Sequence, residues 1–481
     1  MGDEMGNGNL EASGAGGRRL INDDLAPTTA QQRHWRWDDY TALWIGMVVC
    51  VPTYTMASSM LDQGFTWQMA LWLVFLANCI VLVPMILIGR SGTTYGIPFP
   101  VLARASFGVI GANLPAVLRG LVACGWFSIN TYFGALALHG FINIIGIPLA
   151  GPAEGQFIST SQFACFMAFW VVHLYFIWKG LESIRILEKI AAPLMIVAAF
   201  ALVVWAFMNV SPSQILDLPA KVVEGGPKTW AALTGLVGFW ATLALNIPDF
   251  TRFARSQKDQ IIGQAIGLPV PMVLFSMVGL IGFSVSQILY GKAQLFPDGL
   301  LTQMGSFASA VGLLVILLAN LTTNVAANLV SPSYDFSQLA PGKISFRGGG
   351  IIAAVIGLLF MPWKLLATSG GYLFTWLGGY GTLLGAIAGI LLVDYYLVRK
   401  GELVVADLFR RGGKYEYSNG WNIHALVAFF VGVVPCLPGY LVVSGVLPAE
   451  GVPPALVSLF DFGWFFSLAV SGLYYFIFAK R

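Results

Sequence analysis

Apolar runs long enough to cross a lipid bilayer recur along most of the chain, and short polar segments separate them. A membrane-spanning helix needs about 20 mostly apolar residues. By that criterion the pattern predicts twelve transmembrane helices, which we number as spans 1 to 12. Their approximate bounds are 40–61, 67–89, 113–142, 161–179, 187–208, 229–249, 264–290, 306–330, 349–366, 371–396, 422–445 and 456–478.

The composition agrees with this pattern. Of the 481 residues, 57% are hydrophobic and only 10% are charged, whereas soluble proteins carry about 25% charged residues. A net charge of +3 is too small to indicate a polyanionic partner such as nucleic acid. The five cysteines lie in apolar runs without CxxC spacing, so neither a disulfide framework nor a zinc site is expected. The chain is predicted to be an all-α polytopic membrane protein in a lipid bilayer.

Positive charges predict the orientation in the membrane. Of the 26 lysines and arginines, four fall in loops predicted to face outward and Arg119 lies near the start of span 3, which leaves 21 on the cytosolic side. The outward four are Lys221, Lys228, Lys292 and Lys364. By the positive-inside rule, the protein is multi-pass in the cell membrane with its N- and C-termini in the cytosol. Residues 1–39 are expected to form a cytosolic tail that is disordered up to about residue 30.

Two spans contain a proline in similar surroundings, Pro52 in span 1 and Pro248 at the end of span 6. A proline leaves a carbonyl one turn earlier without its partner, and in lipid that carbonyl must line a cavity or find another donor. Spans 1 and 6 also open two five-helix halves, residues 40–208 and 229–396, which two additional helices follow in residues 422–478. Matching interruptions are typical of inverted-repeat secondary transporters, whose site lies between the broken helices. The alternative is an ordinary kink at each proline.

Span 8 carries a dense group of polar side chains. Asn320, Thr322, Thr323, Asn324 and Asn328 lie within nine residues. Two adjacent hydroxyls, together with carbonyls freed near Pro52, form an all-oxygen set that suits a hard cation. Asn324 and Asn328 are four residues apart and share one helix face. The alternative is that these side chains only join neighbouring helices through hydrogen bonds.

Aromatic and amide side chains in spans 3 and 6 suit a planar solute. Trp126 and Asn130 lie one helical turn apart in span 3, and Trp240 lies in span 6. Two indole rings stack on a flat ring while an amide hydrogen-bonds to its edge, an arrangement that suits nucleobases and cyclic ureides. Because single tryptophans also form the interfacial belts of membrane proteins, a belt position is the alternative for each.

Acidic residues bear on the coupling ion. Asp62, Asp249, Asp335 and Asp394 lie near predicted span ends, and no carboxylate is placed clearly at the bilayer midplane. Because proton-coupled transporters often use an intramembrane carboxylate, this distribution favours Na⁺. The sequence also lacks a phosphate-binding loop, an HExxH motif and a GxSxG motif. ATP-driven transport and an intramembrane enzyme are therefore not expected.

Several ordered motifs run through residues 33–420. The most specific are 95–100 (YGIPFP) with Arg104, 126–131, 240–250, 322–332, 361–363 (MPW) and 394–399. Together they resemble the nucleobase:cation symporter-1 family, which includes purine, pyrimidine, allantoin and hydantoin permeases. The resemblance implies a LeuT-like five-plus-five inverted repeat with two additional C-terminal helices, and transport by alternating access.

The resemblance also implies roles for individual residues. Trp126 and Trp240 would stack on the solute, and Asn130 and Asn328 would contact it through their amides. A sodium site would use the carbonyl oxygens of Gly46, Val49 and Ala319 and the hydroxyls of Thr322 and Thr323.

Three presumed pocket positions depart from the family's hydantoin permease. Asn130 and Cys50 each stand where that permease has glutamine, and Phe239 stands where it has glycine. The solute therefore cannot be copied from one relative. We expect a symporter, functional as a monomer, that imports a planar amide-rich heterocycle (uracil, cytosine, allantoin or a hydantoin) with co-transported Na⁺ and no resident cofactor. The alternatives are proton coupling, an uncoupled facilitator or channel, and a membrane enzyme.

Overall fold

The computed structural model describes residues 20–217, 221–223, 225–292, 294, 296–301, 303–367 and 372–479. Regular structure within these residues is helical, apart from two isolated β-bridges, Trp35 with Ala254 and Ser418 with Trp421. In chain order the α-helices are α1 (Trp37–Val48), α2 (Val51–Asp62), α3 (Trp67–Tyr95), α4 (Phe99–Phe107), α5 (Asn113–Ile144), α6 (Thr160–Lys179), α7 (Leu181–Asn209), α8 (Pro212–Leu216), α9 (Thr229–Phe239), α10 (Ala241–Asn246), α11 (Pro248–Thr251), α12 (Gln257–Gly267), α13 (Pro269–Tyr290), α14 (Pro297–Leu301), α15 (Ser306–Val325), α16 (Ser331–Leu339), α17 (Phe346–Leu359), α18 (Pro362–Ala367), α19 (Tyr372–Leu392), α20 (Ile423–Val433), α21 (Leu437–Val443), α22 (Pro454–Phe460) and α23 (Gly463–Phe478).

The helices are long and apolar enough for a polytopic membrane protein. Within the described residues, nine helical segments are each long and apolar enough to cross a membrane. Two further pairs of helices, α1 with α2 and α22 with α23, meet the same length and hydropathy criteria when each pair is taken together, but each is bent at a short break. The all-α membrane architecture is therefore confirmed. The count of twelve spans stays a prediction, because α9 is apolar but only 11 residues long. The boundaries drawn at residues 39, 208, 229, 396 and 422 likewise stay predictions.

Span 1 is interrupted where the sequence predicts. α1 ends at Val48, α2 begins at Val51, and their axes differ by 57°. Pro52 lies in the first turn of α2, where its missing N–H costs no intrahelical hydrogen bond. Cys50 between the helices is extended, with φ −142° and ψ 163°. The carbonyls in the last turn of α1 are therefore available to side chains of other helices.

Span 6 is broken at a position that the sequence analysis did not indicate. α9 ends at Phe239, α10 begins at Ala241, and Trp240 between them has φ −103° and ψ 6°. The backbone N–H of Trp240 bonds to the carbonyl of Val237, three residues back, which is a tight turn. Pro248 instead lies at the start of the short helix α11. The main interruption therefore precedes the proline by two helical turns and coincides with a predicted site residue.

Span 8 departs from regular α-helix next to its polar cluster. α15 continues through a π-helical turn, Ala326–Val330, into α16. Pro332 has no N–H to donate to the carbonyl of Asn328, which accounts for the local widening. Such π-helical turns are frequent at functional sites, and Asn328 lies inside this one.

The segment before α1 packs on the helices. Leu25 and Trp35 are buried, and Arg252 donates hydrogen bonds to the backbone carbonyls of Asp24 and Ala26. The expectation of disorder up to about residue 30 is therefore wrong for residues 20–30, because apolar side chains there reach a buried surface. Residues 1–19, the first part of the predicted tail, lie outside the described residues.

The two additional spans pack against α19. A methyl group at Gly385 of α19 would lie 2.6 Å from the carbonyl oxygen of Trp464, so the glycine permits this close approach of α23. Span 12 is not one straight helix, since α22 and α23 meet at 92°. At that bend Thr234 donates its hydroxyl to the carbonyl of Asp461 at 2.6 Å, which satisfies a backbone group that the bend leaves free.

Candidate functional site

A cavity lies between the breaks in spans 1 and 6 and is closed by α5 and span 8. Its volume is only about 20 Å³, room for about one water molecule and far below the range of about 300–1,000 Å³ that is usual for small-molecule sites, so its walls must separate before a solute can enter. Its walls are formed by Cys50, Pro52, Trp126, Asn130, Phe239, Trp240, Thr242, Leu243, Thr323, Ala327 and Asn328. This set includes all six residues that the sequence analysis expects to contact a solute, and the fold brings them together from four spans.

The aromatic wall contains three rings. Trp126 is held from behind by a hydrogen bond from its Nε1 to the hydroxyl of Tyr380 at 3.1 Å, and Trp44 packs edge-on against Trp240 with centroids 5.1 Å apart. The ring of Phe239 makes edge-on contacts with both indoles, at centroid distances of 5.2 Å to Trp126 and 4.9 Å to Trp240. Phe239 therefore couples the two tryptophans, so the expected two-indole wall is a three-ring cluster.

Two fully buried polar atoms of the cavity-lining residues have no hydrogen bond within the described part of the chain. Nδ2 of Asn130 donates to the carbonyl of Trp126 at 3.1 Å, whereas its buried Oδ1 has no partner in the described part of the chain. Nε1 of Trp240 is also buried and has no partner among those residues. Because buried polar groups are normally paired, one acceptor and one donor remain for a bound molecule.

Asn324 and Asn328 share a helix face but have different surroundings. Nδ2 of Asn324 contacts the carbonyl of Phe127 and the hydroxyl of Thr131, each at 3.0 Å, in a fully buried position. Asn328 lines the cavity and donates its own Nδ2 to Oδ1 of Asn324 at 2.9 Å. The helix-joining alternative therefore describes Asn324, which in turn orients Asn328.

Oxygen atoms from α1 and α15 converge beside the cavity. The hydroxyl of Thr322 donates to the carbonyls of Gly46 at 3.1 Å and Ala319 at 3.0 Å. The hydroxyl of Thr323 donates to the carbonyls of Gly46 at 3.0 Å and Met47 at 3.1 Å. Both threonines are buried. The carbonyl of Met47 is a member of this group that the sequence analysis did not name.

The remaining predicted cation ligand lies at the same junction. Val49 and Ala319 pack in one buried cluster with Ala191 and Met195 of α7. The five expected ligands are thus gathered where α1 meets α15, with α7 as a third wall. Carbonyl and hydroxyl oxygens are the ligands that unwound transporter helices offer to Na⁺, so this donor set fits that ion. Among the described residues no group of three or more His, Cys, Asp or Glu side chains is placed to hold a metal.

A buried charged cluster lies on span 8 below the cavity. Arg119 is completely buried, donates to the carbonyl of Ala327 at 3.0 Å and pairs with Asp335 at 3.5 Å. Asp249 is also fully buried and accepts the backbone N–H of Phe99 at 2.8 Å. The sequence analysis placed both aspartates near span ends. It missed their burial, because that burial depends on packing between distant segments.

One further acidic residue was missed. Glu188 of α7 is 1% exposed, although span 5 was predicted to begin only one residue earlier. The sequence predicts no carboxylate clearly at the bilayer midplane, and it did not single out Glu188, which is buried within the helical bundle. Na⁺ as the coupling ion stays a prediction. The signal in the sequence was a glutamate that already lies inside predicted span 5, one residue from its boundary.

Comparison with known proteins identifies the family to which the chain belongs. A family model described as a permease for cytosine/purines, uracil, thiamine and allantoin matches residues 27–466. The chain belongs to this permease family. It is 43% identical over 472 residues to the purine-uracil permease NCS1 of Arabidopsis thaliana, covering 96% of this chain and 78% of that one. It is 35% identical over 478 residues to the allantoin permease of Bacillus subtilis, covering 97% and 95%.

Solved structures show the fold. The closed structure of Mhp1, a nucleobase-cation-symport-1 family transporter with bromovinylhydantoin bound, matches this permease with a TM-score of 0.77 at 24% identity over 94% of each chain. A Na⁺-coupled sialic acid symporter matches with a TM-score of 0.63 at 14% identity, over 96% of this chain and 91% of that one. The LeuT-like transporter fold is therefore confirmed, and family membership confirms a transporter where an enzyme was the alternative.

Proposed function

We propose that this permease imports a neutral, planar, amide-rich heterocycle by symport with Na⁺. The observation that carries the proposal is the pairing, in one cavity, of an aromatic wall with two unpaired polar atoms, Oδ1 of Asn130 and Nε1 of Trp240. An amide edge carries an N–H donor beside a carbonyl acceptor, so it complements one free acceptor and one free donor. A flat ring also packs well against aromatic side chains.

The relatives support the solute class. They include a purine-uracil permease in Arabidopsis thaliana and an allantoin permease in Bacillus subtilis, and Mhp1 binds bromovinylhydantoin. Uracil, cytosine, allantoin and hydantoins each carry a cyclic amide or ureide group, and purines present comparable ring N–H donors and nitrogen acceptors at their edges. We therefore propose uracil, cytosine, a purine, allantoin or a hydantoin as the solute, with contacts from Trp126, Asn130, Trp240 and Asn328 and with Cys50 and Phe239 shaping the pocket.

The oxygen group between α1 and α15 supports Na⁺ as the coupling ion. Thr323 lines the solute cavity and also contacts Gly46 and Met47 of α1. A cation bound there would steady the interrupted span 1 and so the cavity wall that contains Cys50 and Pro52. By thermodynamic linkage, Na⁺ and solute must then raise each other's affinity by the same factor. We further propose that the protein acts as a monomer in the cell membrane, with both termini cytosolic.

Uptake into liposomes containing the purified permease tests the proposal. Radiolabelled uracil, cytosine, adenine, allantoin and a hydantoin are offered with an inward Na⁺ gradient, with choline in place of Na⁺, and with an imposed proton gradient. We expect at least one solute to accumulate above its external concentration only with the Na⁺ gradient. Accumulation driven by protons alone would support proton coupling, and equilibration without accumulation would support a facilitator.

A further inference from the structure

Glu188 is a buried acidic residue that forms no ion pair within the described residues. Neither of its side-chain oxygens has a hydrogen-bond partner in the described part of the chain. The adjacent basic residues are used elsewhere, since Arg185 and Lys189 each pair with Asp39 at 2.8 Å. A lone carboxylate in a helical bundle is costly, and intramembrane ionisable residues usually serve a function.

The carboxyl group lies against the backbone of Gly46, whose carbonyl belongs to the oxygen group described above. It packs against Cα of Gly46, where an added methyl group would collide with Oε2 and lie 2.6 Å from Cδ of Glu188. The carbonyl of the same Gly46 accepts hydrogen bonds from Thr322 and Thr323 at 3.1 and 3.0 Å. Glycine at position 46 thus allows a carboxyl group to approach the backbone of the interrupted span.

The helix that carries Glu188 also encloses the rest of the cation site. Ala191, three residues further along α7, packs with Val49 and Ala319 in one buried cluster. The side chain of Glu188 therefore projects from the same helix face as the residue that closes the site, since positions three apart are neighbours on a helix. α7 thus brings an ionisable carboxyl group close to a group of oxygens that is otherwise neutral.

We propose that Glu188 is the anionic partner of the coupling cation, so that the Na⁺ site is built from three spans and includes a carboxylate. The inference rests on the proposed Na⁺ symport and names a residue for it. The carbonyls and hydroxyls supply dipoles, and Glu188 supplies the opposite charge. The bound cation in turn compensates the buried carboxylate, so each removes the desolvation penalty that the other would otherwise bear.

Na⁺ titrations of the full-length permease in lipid nanodiscs test this assignment. The readouts are ²²Na⁺ binding and the Na⁺ dependence of thermal unfolding, for wild type, Glu188→Gln, Glu188→Asp and a control, Glu182→Gln. Glu182 lies on the same helix but is exposed and pairs with Arg185. We expect Glu188→Gln to raise the half-saturating Na⁺ concentration at least tenfold and Glu182→Gln to leave it within twofold of wild type.

The outcomes separate the two proposals. A Glu188→Gln protein with wild-type Na⁺ affinity would overturn the role of Glu188 while leaving Na⁺ symport intact. If wild type itself binds no Na⁺, both proposals fail. If Glu188→Gln does not fold, Glu188→Leu is the second neutral variant, and an unchanged half-saturating concentration in that variant would overturn the inference. Glu188→Asp, which keeps the charge, should bind Na⁺ more tightly than either neutral variant.

Discussion

Replacing Thr322 by valine removes one oxygen from the proposed cation site and leaves the solute cavity untouched. The hydroxyl is completely buried, contacts the carbonyls of Gly46 and Ala319, and is not among the residues that line the cavity. Valine keeps the branched shape but supplies no oxygen. Hydrogen bonds to charged groups contribute about 1.5–3 kcal/mol, and we take the same range for a lost cation ligand. Since each 1.4 kcal/mol is about tenfold, the Na⁺ affinity of Thr322→Val should fall roughly ten- to 150-fold.

The measurement is solute uptake as a function of Na⁺ concentration in liposomes. The half-saturating Na⁺ concentration should rise by that factor, while solute affinity at saturating Na⁺ should stay near wild type. Thr382→Val is the matched control, because Thr382 is also buried but its hydroxyl bonds to Gly378 of its own helix, at 2.9 Å. A Thr322→Val protein with wild-type Na⁺ dependence would refute the placement of the cation between α1 and α15.

Three further predictions address the solute and the scaffold. Asn130→Ala removes the unpaired acceptor and should weaken solute binding by about 1–3 kcal/mol, which is roughly five- to 150-fold in the equilibrium constant. Asn320→Ala is the control, because it removes a buried amide that lies outside the cavity, and it should leave solute affinity unchanged. Phe239→Ala should open the space between the tryptophans and let bulkier ring-substituted hydantoins compete for uptake; an unaltered competition panel would contradict this. Arg119→Met leaves Asp335 buried without its ion-pair partner and should lower the free energy of unfolding by about 3–5 kcal/mol. The variant should therefore have a lower melting temperature than wild type. An unchanged melting temperature would show that the ion pair does not stabilise the fold.

Local features of the sequence were sufficient to place several parts of the site. Pro52 marks the interruption of span 1, because the missing N–H acts within one helical turn. Because Thr322 and Thr323 are adjacent in span 8, both hydroxyls reach the backbone of α1 once span 8 packs against it. The role of Asn324 was not decided by its spacing, since only its contacts with Phe127 and Thr131 separate it from Asn328.

Other parts of the site depend on contacts between distant segments. The break at Trp240 has no proline to signal it, and Pro248 drew attention to a position eight residues later. The contact of Phe239 with two indoles joins α5 to span 6. The burial of Glu188 follows from the absence of a side chain at Gly46, which is more than 140 positions earlier in the chain.

The sequence by itself determined the helical membrane character, the first helix break and the residue types of both the aromatic and the oxygen-rich groups. These properties follow from composition and from short-range patterns, which act within a single span. Only the tertiary structure decided that six residues from four spans share one cavity and that the carboxyl group of Glu188 lies against Gly46, whose carbonyl is a proposed cation ligand. Such juxtapositions arise from helix packing, in which glycine positions and bends set how closely two backbones approach, and no local pattern encodes which helices meet.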